Sequence, residues 1–302
     1  MLRFAITRSR ARARCSSVMR VALAVALVAL VAACNHPRPR DVSVESRRHG
    51  PSSFTQRSRL RLVTYNVHMI EGGRIAAALR ATPDLAAADL VLLQEVESYP
   101  EEGESRACLA AKQLELHCAY APGYGLANGG SHGVAILSRF PLGDLEITEL
   151  PYNHTVVNSA RRVALGATID AGGGPVRIYA VHLDNRISPT DRVRQLAPVI
   201  DAADERELPT VIAGDMNTSP FVWLGNVIPI PWGSQDDQLE AFVRMRGFLT
   251  PVTGSGATST WLGMRLDAVY TRGVDLRAHR VEHDVRASDH LPLWADLDLS
   301  AI

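Results

Sequence analysis

The chain has 302 residues, 46% hydrophobic and 21% charged, with a formal net charge of zero. That is an ordinary globular composition, long enough for one large domain or two small ones. The charge is uneven: the first 33 residues hold six Arg and no acid, which leaves 26 basic against 32 acidic residues, a net −6, for the remainder. A domain of that charge is a poor general attractor of nucleic acid, although a local patch could bind it.

Arg-rich residues 3–20 run into the unbroken apolar stretch 21–33. Thirteen residues are too few to span a bilayer, which needs about 20, and they fit the apolar core of a secretory leader, roughly 7–15 residues long. The stretch ends Leu30-Val31-Ala32-Ala33-Cys34. This resembles the lipobox of bacterial lipoproteins, in which the Cys is acylated and becomes the first mature residue. The resemblance implies export and membrane attachment through Cys34. Asn35, in place of Asp, favours the outer membrane. Residues 34–58 contain Pro, Gly, Ser and scattered Arg with no apolar period, and are predicted to be a flexible tether. The domain is predicted to occupy residues 59–300, and to be monomeric.

Within it, 60–67 alternates and predicts a strand with Asn66 near its end. A short helix over 74–80 stops near Pro83. The run 89–96 is an apolar strand ending in Gln94-Glu95, and 107–116 is a helix. Residues 120–133 read as a Gly-rich loop, and 134–138 as a strand. Strands over 162–169 and 176–183 flank Asp170-Ala171-Gly172-Gly173-Gly174-Pro175, a hairpin signal. Ser188-Pro189 opens a helix to about Ala203, with Ser as N-cap and Pro in the first turn. The apolar run 211–213 then meets Gly214-Asp215-Met216-Asn217, a buried strand closed by turn residues. Residues 221–262 are mixed, with a helix over 237–245. Strands over 266–270, 275–282 and 293–299 complete the chain. Cys108 lies within, and Cys118 just beyond, a stretch that reads helical from 105 to 116. Ten helical residues rise about 15 Å, too far for a disulfide, so the pair is predicted to be free.

Strands outnumber helices about two to one, without a regular βαβ repeat. That predicts an α/β fold with two sheets packed face to face and helices outside.

Six strand ends or adjoining loops carry Asn66, Glu95, His182, Asp215 with Asn217, Asp267, and Asp289 with His290. These are oxygen ligands and imidazoles with no thiol, a set suited to Mg²⁺, Mn²⁺ or Ca²⁺. Singly, each has a structural use: Asn66 could cap a turn, Glu95 could pair with Arg, and His182 could be a satisfied core histidine.

Together, the blocks TYN, LLQE, GVAILSR, VHLD, GDMN, RLDAVY and SDHLP resemble, in order, those of the endonuclease/exonuclease/phosphatase superfamily. The resemblance covers residues 60–295. It implies a four-layer α/β sandwich of two mainly antiparallel mixed sheets, and metal-dependent hydrolysis of a phosphate ester or phosphodiester. By position it implies Glu95 as principal Mg²⁺ ligand, with Asn66 beside it and Asp289 assisting. Asp215 would orient or deprotonate the attacking water, and Asn217 would hold water or phosphate. Asp267 and His290 would form an acid–imidazole pair, and His182 would contact the phosphate or protonate the leaving oxygen. Arg161 or Arg162 matches a phosphate-contacting position.

Gly129-Gly130-Ser131-His132-Gly133 also fits the nucleophile motif of serine hydrolases, but it lacks the strand-to-helix turn that chemistry needs. His68, His132 and His154 read as structural or surface residues. One Lys (Lys112) and no basic run beyond Arg161-Arg162 after the tether favour a small or lipid phosphodiester over long DNA, with nuclease action the alternative. A non-catalytic surface binding protein on the same fold is the reading from another class; a complete acid–base set argues against it.

Overall fold

The computed structural model describes residues 36–155, 160–233, 235–260 and 263–300; the leader and Cys34 lie outside them. The strands, in chain order, are β1 (Glu45–Arg47), β2 (Arg59–Asn66), β3 (Leu90–Ser98), β4 (His117–Gly125), β5 (Ser131–Ser138), β6 (Gly143–Glu149), β7 (Val163–Asp170), β8 (Pro175–His182), β9 (Thr210–Asp215), β10 (Phe221–Leu224), β11 (Ile228–Pro231), β12 (Asp267–Arg272), β13 (Asp275–Val281) and β14 (Leu293–Asp298). The helices are α1 (Gly72–Arg80), α2 (Pro83–Ala86), α3 (Arg106–Leu114), α4 (Pro189–Arg206) and α5 (Asp236–Met245).

Seven strands form one sheet, in the order β1-β4-β5-β3-β2-β14-β13, and five form the other, β12-β9-β8-β7-β6. Each sheet holds one parallel pair, β2 with β3 and β8 with β9; the remaining ladders are antiparallel. The period of two in β2 sorts its side chains. Leu60 and Leu62 join the core cluster that runs through the second sheet to Leu196 and Val199 of α4 and Leu239 and Val243 of α5. Val63 and Tyr65 join a second cluster with Ile75 and Leu79 of α1 and Ala107 and Ala111 of α3. The order of layers is therefore helix, sheet, sheet, helix, as the sequence implied. Burial of each Leu or Ile contributes about 1.5–3 kcal/mol. Ser188 Oγ accepts the Asp191 backbone N–H at 3.1 Å and Pro189 opens α4, as expected.

Three expectations are corrected, and one stretch left open is resolved. Residues 120–133 are not a loop: β4 and β5 pair antiparallel across most of them. Their glycine content reflects close approach, since a Cβ on Gly133 would lie 2.0 Å from Ala121 O. Residues 45–47, within the expected tether, form the edge strand β1 paired to β4, so ordered chain begins before residue 59. Residues 221–231 form the two-stranded β10–β11 hairpin, outside both large sheets. Finally, Cys108 and Cys118 are disulfide-bonded, with Cα atoms 5.3 Å apart. The helix stops at Leu114, Glu115 turns left-handed (φ 57°), and β4 folds Cys118 back beside α3. The 15 Å estimate assumed a helix that continued.

Candidate active site

One edge of the sandwich gathers the strand ends. Because β2 and β3 are parallel, Asn66 and Gln94 finish side by side. For the same reason β8 and β9 finish with His182 paired to Asp215. β12 runs the other way and starts with Asp267 directly opposite Asp215. His290 lies just before β14. Two parallel pairs, one per sheet, thus deliver four functional ends to one place.

Local backbone then aims the groups. The β3–β5 register shifts between Leu93 and Val96, and Glu95 sits in that bulge at φ 56°. Asn217 is also left-handed, at φ 52°. A left-handed non-glycine residue costs of order 1–3 kcal/mol and persists only where its surroundings hold it. Gly214, at φ 153°, has no room for a side chain: a Cβ would lie 1.9 Å from Val181 O.

Asp215, buried, is the hub. Its Oδ2 accepts from Asn66 Nδ2 at 2.9 Å and lies 3.5 Å from His182 Nε2 and 3.7 Å from His290 Nε2. Its Oδ1 accepts the Asn217 backbone N–H at 2.9 Å. Asn66 Nδ2 also donates to Glu95 Oε1 at 3.1 Å, while its Oδ1 accepts from His68 N at 3.0 Å. Asn66 therefore clamps the two carboxylates with its amide nitrogen and turns its oxygen towards the backbone. Asn217 Nδ2 donates to Leu183 O at 2.9 Å, tying the exit of β9 to that of β8. His290 Nδ1 lies 2.8 Å from Asp267 Oδ2. Asp267 is held in turn by Thr258, whose Oγ1 accepts the Leu266 and Asp267 backbone N–H groups at 2.9 and 3.0 Å.

Arg162 separates from Arg161. Arg162 donates to Asp184 Oδ1 at 2.8 Å and to His182 Nδ1 at 3.0 Å, and lines the cleft. Arg161 is taken up by Glu149 at 2.7 Å and by the carbonyls of Pro122 and Gly123. Guanidinium groups only donate, so His182 Nδ1 must accept and its ring proton sits on Nε2, towards the carboxylates. Asp289 stands apart from the hub. Its half-exposed side chain lies 3.3 Å from His68 Nδ1, which is itself 3.6 Å from Glu95 Oε2. Asp289 reaches Glu95 only through that imidazole.

Electrostatics divide the groups. Burial pushes Asp215 up to about 7, reinforced by Asp267 and opposed by His290. Burial would lower His290, but the carboxylates of Asp267 and Asp215 raise it to about 10. Burial and the Arg162 charge hold His182 well below the usual imidazole value. Burial would raise Glu95, yet His132, His182 and Asn66 keep it well below the usual carboxylate range. The edge thus presents an ionised Glu95, a carboxyl near neutrality, an imidazolium and a neutral imidazole.

An open cleft of about 470 Å³ lies over this cluster. His68 and His132, expected to be structural or surface, line it; His132 Nε2 is 4.0 Å from Glu95 Oε2 and its ring stacks on Tyr124 at 4.4 Å. His154 is exposed beside Tyr152. Ser131 is bonded to Tyr120 OH at 3.0 Å within β5, with no nucleophile turn. Beneath the cleft, buried Arg192 donates to the carbonyls of Asp184 and Met216 and to Gln235 Oε1, joining α4 to both site loops.

Ligand atoms of Glu95, His182 and Asp215 lie within 4.8 Å of one another. The two carboxylates suit a hard divalent cation. His182 Nε2, carrying the ring proton, does not offer a lone pair there.

The sequence profile of the Endonuclease/Exonuclease/phosphatase family matches residues 63–290. Among solved structures, an endonuclease/exonuclease/phosphatase from Beutenbergia cavernae DSM 12333 is similar at 27% identity and TM-score 0.63, over 80% of this chain and 72% of that one. A 3'-5' exonuclease from Neisseria meningitidis is similar at 23% identity and TM-score 0.56, over 79% of this chain and all of that one. A mannosyl-6-phosphatase from Bacteroides thetaiotaomicron is similar at 17% and 0.55, over 79% and 99% of the two chains. Comparison with curated proteins finds no match.

Proposed function

Since the chain belongs to the endonuclease/exonuclease/phosphatase family, whose members hydrolyse phosphoester bonds, we propose that it is a lipid-anchored phosphodiesterase of the cell envelope, dependent on Mg²⁺ or a similar cation. The observation that carries the reading is the position of Asp215, which shares one oxygen with Asn66, His182 and His290 beside an ionised Glu95.

Glu95 would hold the cation, with Asp215 beside it across the Asn66 clamp. When bound, the cation neutralises charge that develops on the phosphoryl oxygens. Asp215, with a proton affinity near neutrality, takes the proton of the attacking water; a base so poised is both ionised often enough and basic enough to act. Asn66 and the Asn217 backbone N–H fix its carboxylate plane. His290, kept as imidazolium by Asp267, faces the phosphoryl group from one side. On the other, His182 offers its Nε2–H to the phosphate or the leaving oxygen, with Arg162 fixing the ring's tautomer. Asp289 and His68 shape the rim.

A small or lipid phosphodiester fits the cleft better than long duplex DNA. Among the described residues, Arg162 and Arg186 are the only Arg or Lys of the cleft lining, and Arg162 is already paired with Asp184. Hydrolysis of bis-p-nitrophenyl phosphate, abolished by EDTA and restored by Mg²⁺, tests the chemistry; Ser131→Ala should leave it unchanged. A parallel assay on duplex DNA tests the substrate. Fast DNA cleavage that falls steeply between about 50 and 200 mM salt, the mark of many phosphate contacts, would make the chain a nuclease. Attachment through Cys34 is part of the same proposal; among the described residues no helix is long and apolar enough to cross a membrane.

A further inference from the structure

The β10–β11 hairpin is apolar on its outside. Leu224 is 62% exposed, Ile228 56% and Trp232 73%, with Val227 and Ile230 also exposed. Of the ten large hydrophobic residues exposed among the described ones, these five fall within nine consecutive positions. A contiguous apolar patch on an otherwise ordinary surface marks an interaction site. The hairpin's two strands pair only with each other, from Phe221↔Pro231 to Leu224↔Ile228, so the hairpin extends neither large sheet.

The patch is part of the cleft wall. Trp223, on the same hairpin, lines the cleft together with Ser219 and Arg186, and the Arg186 guanidinium lies 4.9 Å from the Trp223 ring. Asn226 Nδ2 in the hairpin turn donates to Arg186 O at 2.7 Å, fastening the hairpin to the loop after β8 that carries Asp184. An apolar hairpin with Trp232 at its base and Arg186 against its turn suits the boundary between headgroups and acyl chains.

A second observation comes from the other end of the chain. His36 also lines the cleft, with its ring 4.2 Å from that of Tyr124, and Pro37 O accepts the Gly125 backbone N–H at 2.7 Å. The acyl anchor proposed at Cys34 lies two residues before His36. Two extended residues reach about 7 Å. The described chain therefore begins at the mouth of the cleft, on the same rim as the apolar hairpin.

We propose that the cleft mouth docks on a phospholipid bilayer through the β10–β11 tip, and that the substrate is a phosphodiester in the headgroup of a membrane lipid. This inference rests on the phosphodiesterase reading above and names its substrate class. Water oxygen bonds to phosphorus while one P–O ester bond breaks, leaving its electron pair on the departing oxygen. The water proton taken by Asp215 is matched by one delivered to that oxygen. The products are an alcohol and a phosphomonoester. The acyl anchor holds the chain at the bilayer surface, and the hairpin supplies the orientation that brings the cleft to the headgroups.

The test uses the full chain, purified in detergent and added to phosphatidylethanolamine/phosphatidylglycerol vesicles with brominated acyl chains. We expect tryptophan emission to be quenched, with most of the quenching lost in Trp232→Phe. We expect the vesicle lipid to yield a phosphomonoester, read by mass spectrometry. Ile228→Ser/Ile230→Ser changes exposed side chains only and keeps Trp232 as reporter. It should hydrolyse bis-p-nitrophenyl phosphate within about twofold of wild type and lose about 10²-fold on vesicle lipid, the scale of removing two aliphatic side chains from an apolar phase. Wild type that cleaves bis-p-nitrophenyl phosphate but shows no quenching or no lipid product overturns the inference and leaves the phosphodiesterase reading standing. So does an unchanged lipid rate in the Ser variant, or a preference for duplex DNA over vesicle lipid. Wild type inactive on every ester with Mg²⁺ present removes both.

Discussion

Asp267 stands directly opposite Asp215 across the β9–β12 ladder, and the two buried carboxylates share one imidazole, His290. Two acids so close cannot both ionise freely unless a positive group lies between them. The imidazolium of His290 is that group, and it explains why Asp215 is raised only to near neutrality.

Breaking this arrangement should stop turnover without unfolding the chain. Asp215→Asn keeps the shape and removes the base; His290→Ala removes the imidazole. Each should lower kcat on bis-p-nitrophenyl phosphate by about 10²–10⁴, the usual scale for a general acid or base. Near-wild-type turnover in Asp215→Asn would put the chemistry elsewhere. Asp267→Asn should cost less, because its effect reaches the substrate only through His290.

The same triad sets a pH dependence of stability in EDTA. His290 is raised in the folded state, so its stabilising contribution is complete below the ordinary imidazole value, near 6.5. It is lost as pH rises through about 10. Across that window the folded chain binds a proton the unfolded chain does not, so stability falls with pH. Thermal melts in EDTA should show Tm dropping across it, and His290→Gln should flatten the slope. A wild-type profile rising over the window would contradict the pairing.

Cation binding should be visible without turnover. A ligand that binds only the folded state raises stability with its concentration. Mg²⁺ or Mn²⁺ should raise Tm of the wild type, and Glu95→Ala should abolish or greatly weaken that rise. An equal shift in the variant would mean that the cation sits away from Glu95.

The disulfide should stabilise but not catalyse. Closing the loop between Cys108 and Cys118 is worth about 3 kcal/mol on the chain-entropy model. Cys108→Ser/Cys118→Ser should lower the unfolding free energy in urea by that order and leave kcat within about twofold.

Anchoring is separable from all of these. Cys34→Ser should move the chain from the detergent phase to the aqueous phase in a two-phase partition of the envelope fraction. A variant as firmly membrane-bound as wild type would refute acylation at Cys34.

Much of the site could be read in the sequence because each functional group closes an apolar run: Asn66, His182 and Asp215 end buried strands, and Glu95 follows the buried run 90–94 within β3. Interior strands announce themselves by their composition. The edges do not. β1 and β6 are short or half-exposed, and their residues alternate too weakly to separate them from loops. β4 carries Pro122 and two Gly, which mimic a turn although they mark a bulge and a close crossing. The disulfide was hidden by one left-handed residue, Glu115, which no periodicity reveals. His68 and His132 were missed for another reason. Nothing adjacent in sequence distinguishes a histidine that faces Glu95 from one that faces solvent; only the β3–β5 pairing of Glu97 with His132 brings that ring into the cleft.

The bulge at Glu95 has a consequence for how this site can vary. Val91, Leu93 and Val96 all face the helices, so the strand changes phase between 93 and 96. Without Gln94, strict alternation would still send Leu93 and Val96 to the same side, and Glu95 would fall where Gln94 now lies, buried against Thr64. The core does not need the extra residue; the cleft does. Glu95 is an insertion in strand register, and its deletion would keep Leu93 and Val96 on one side of the sheet with no carboxylate at its mouth. At this point of the chain, length constrains function as strictly as side-chain identity.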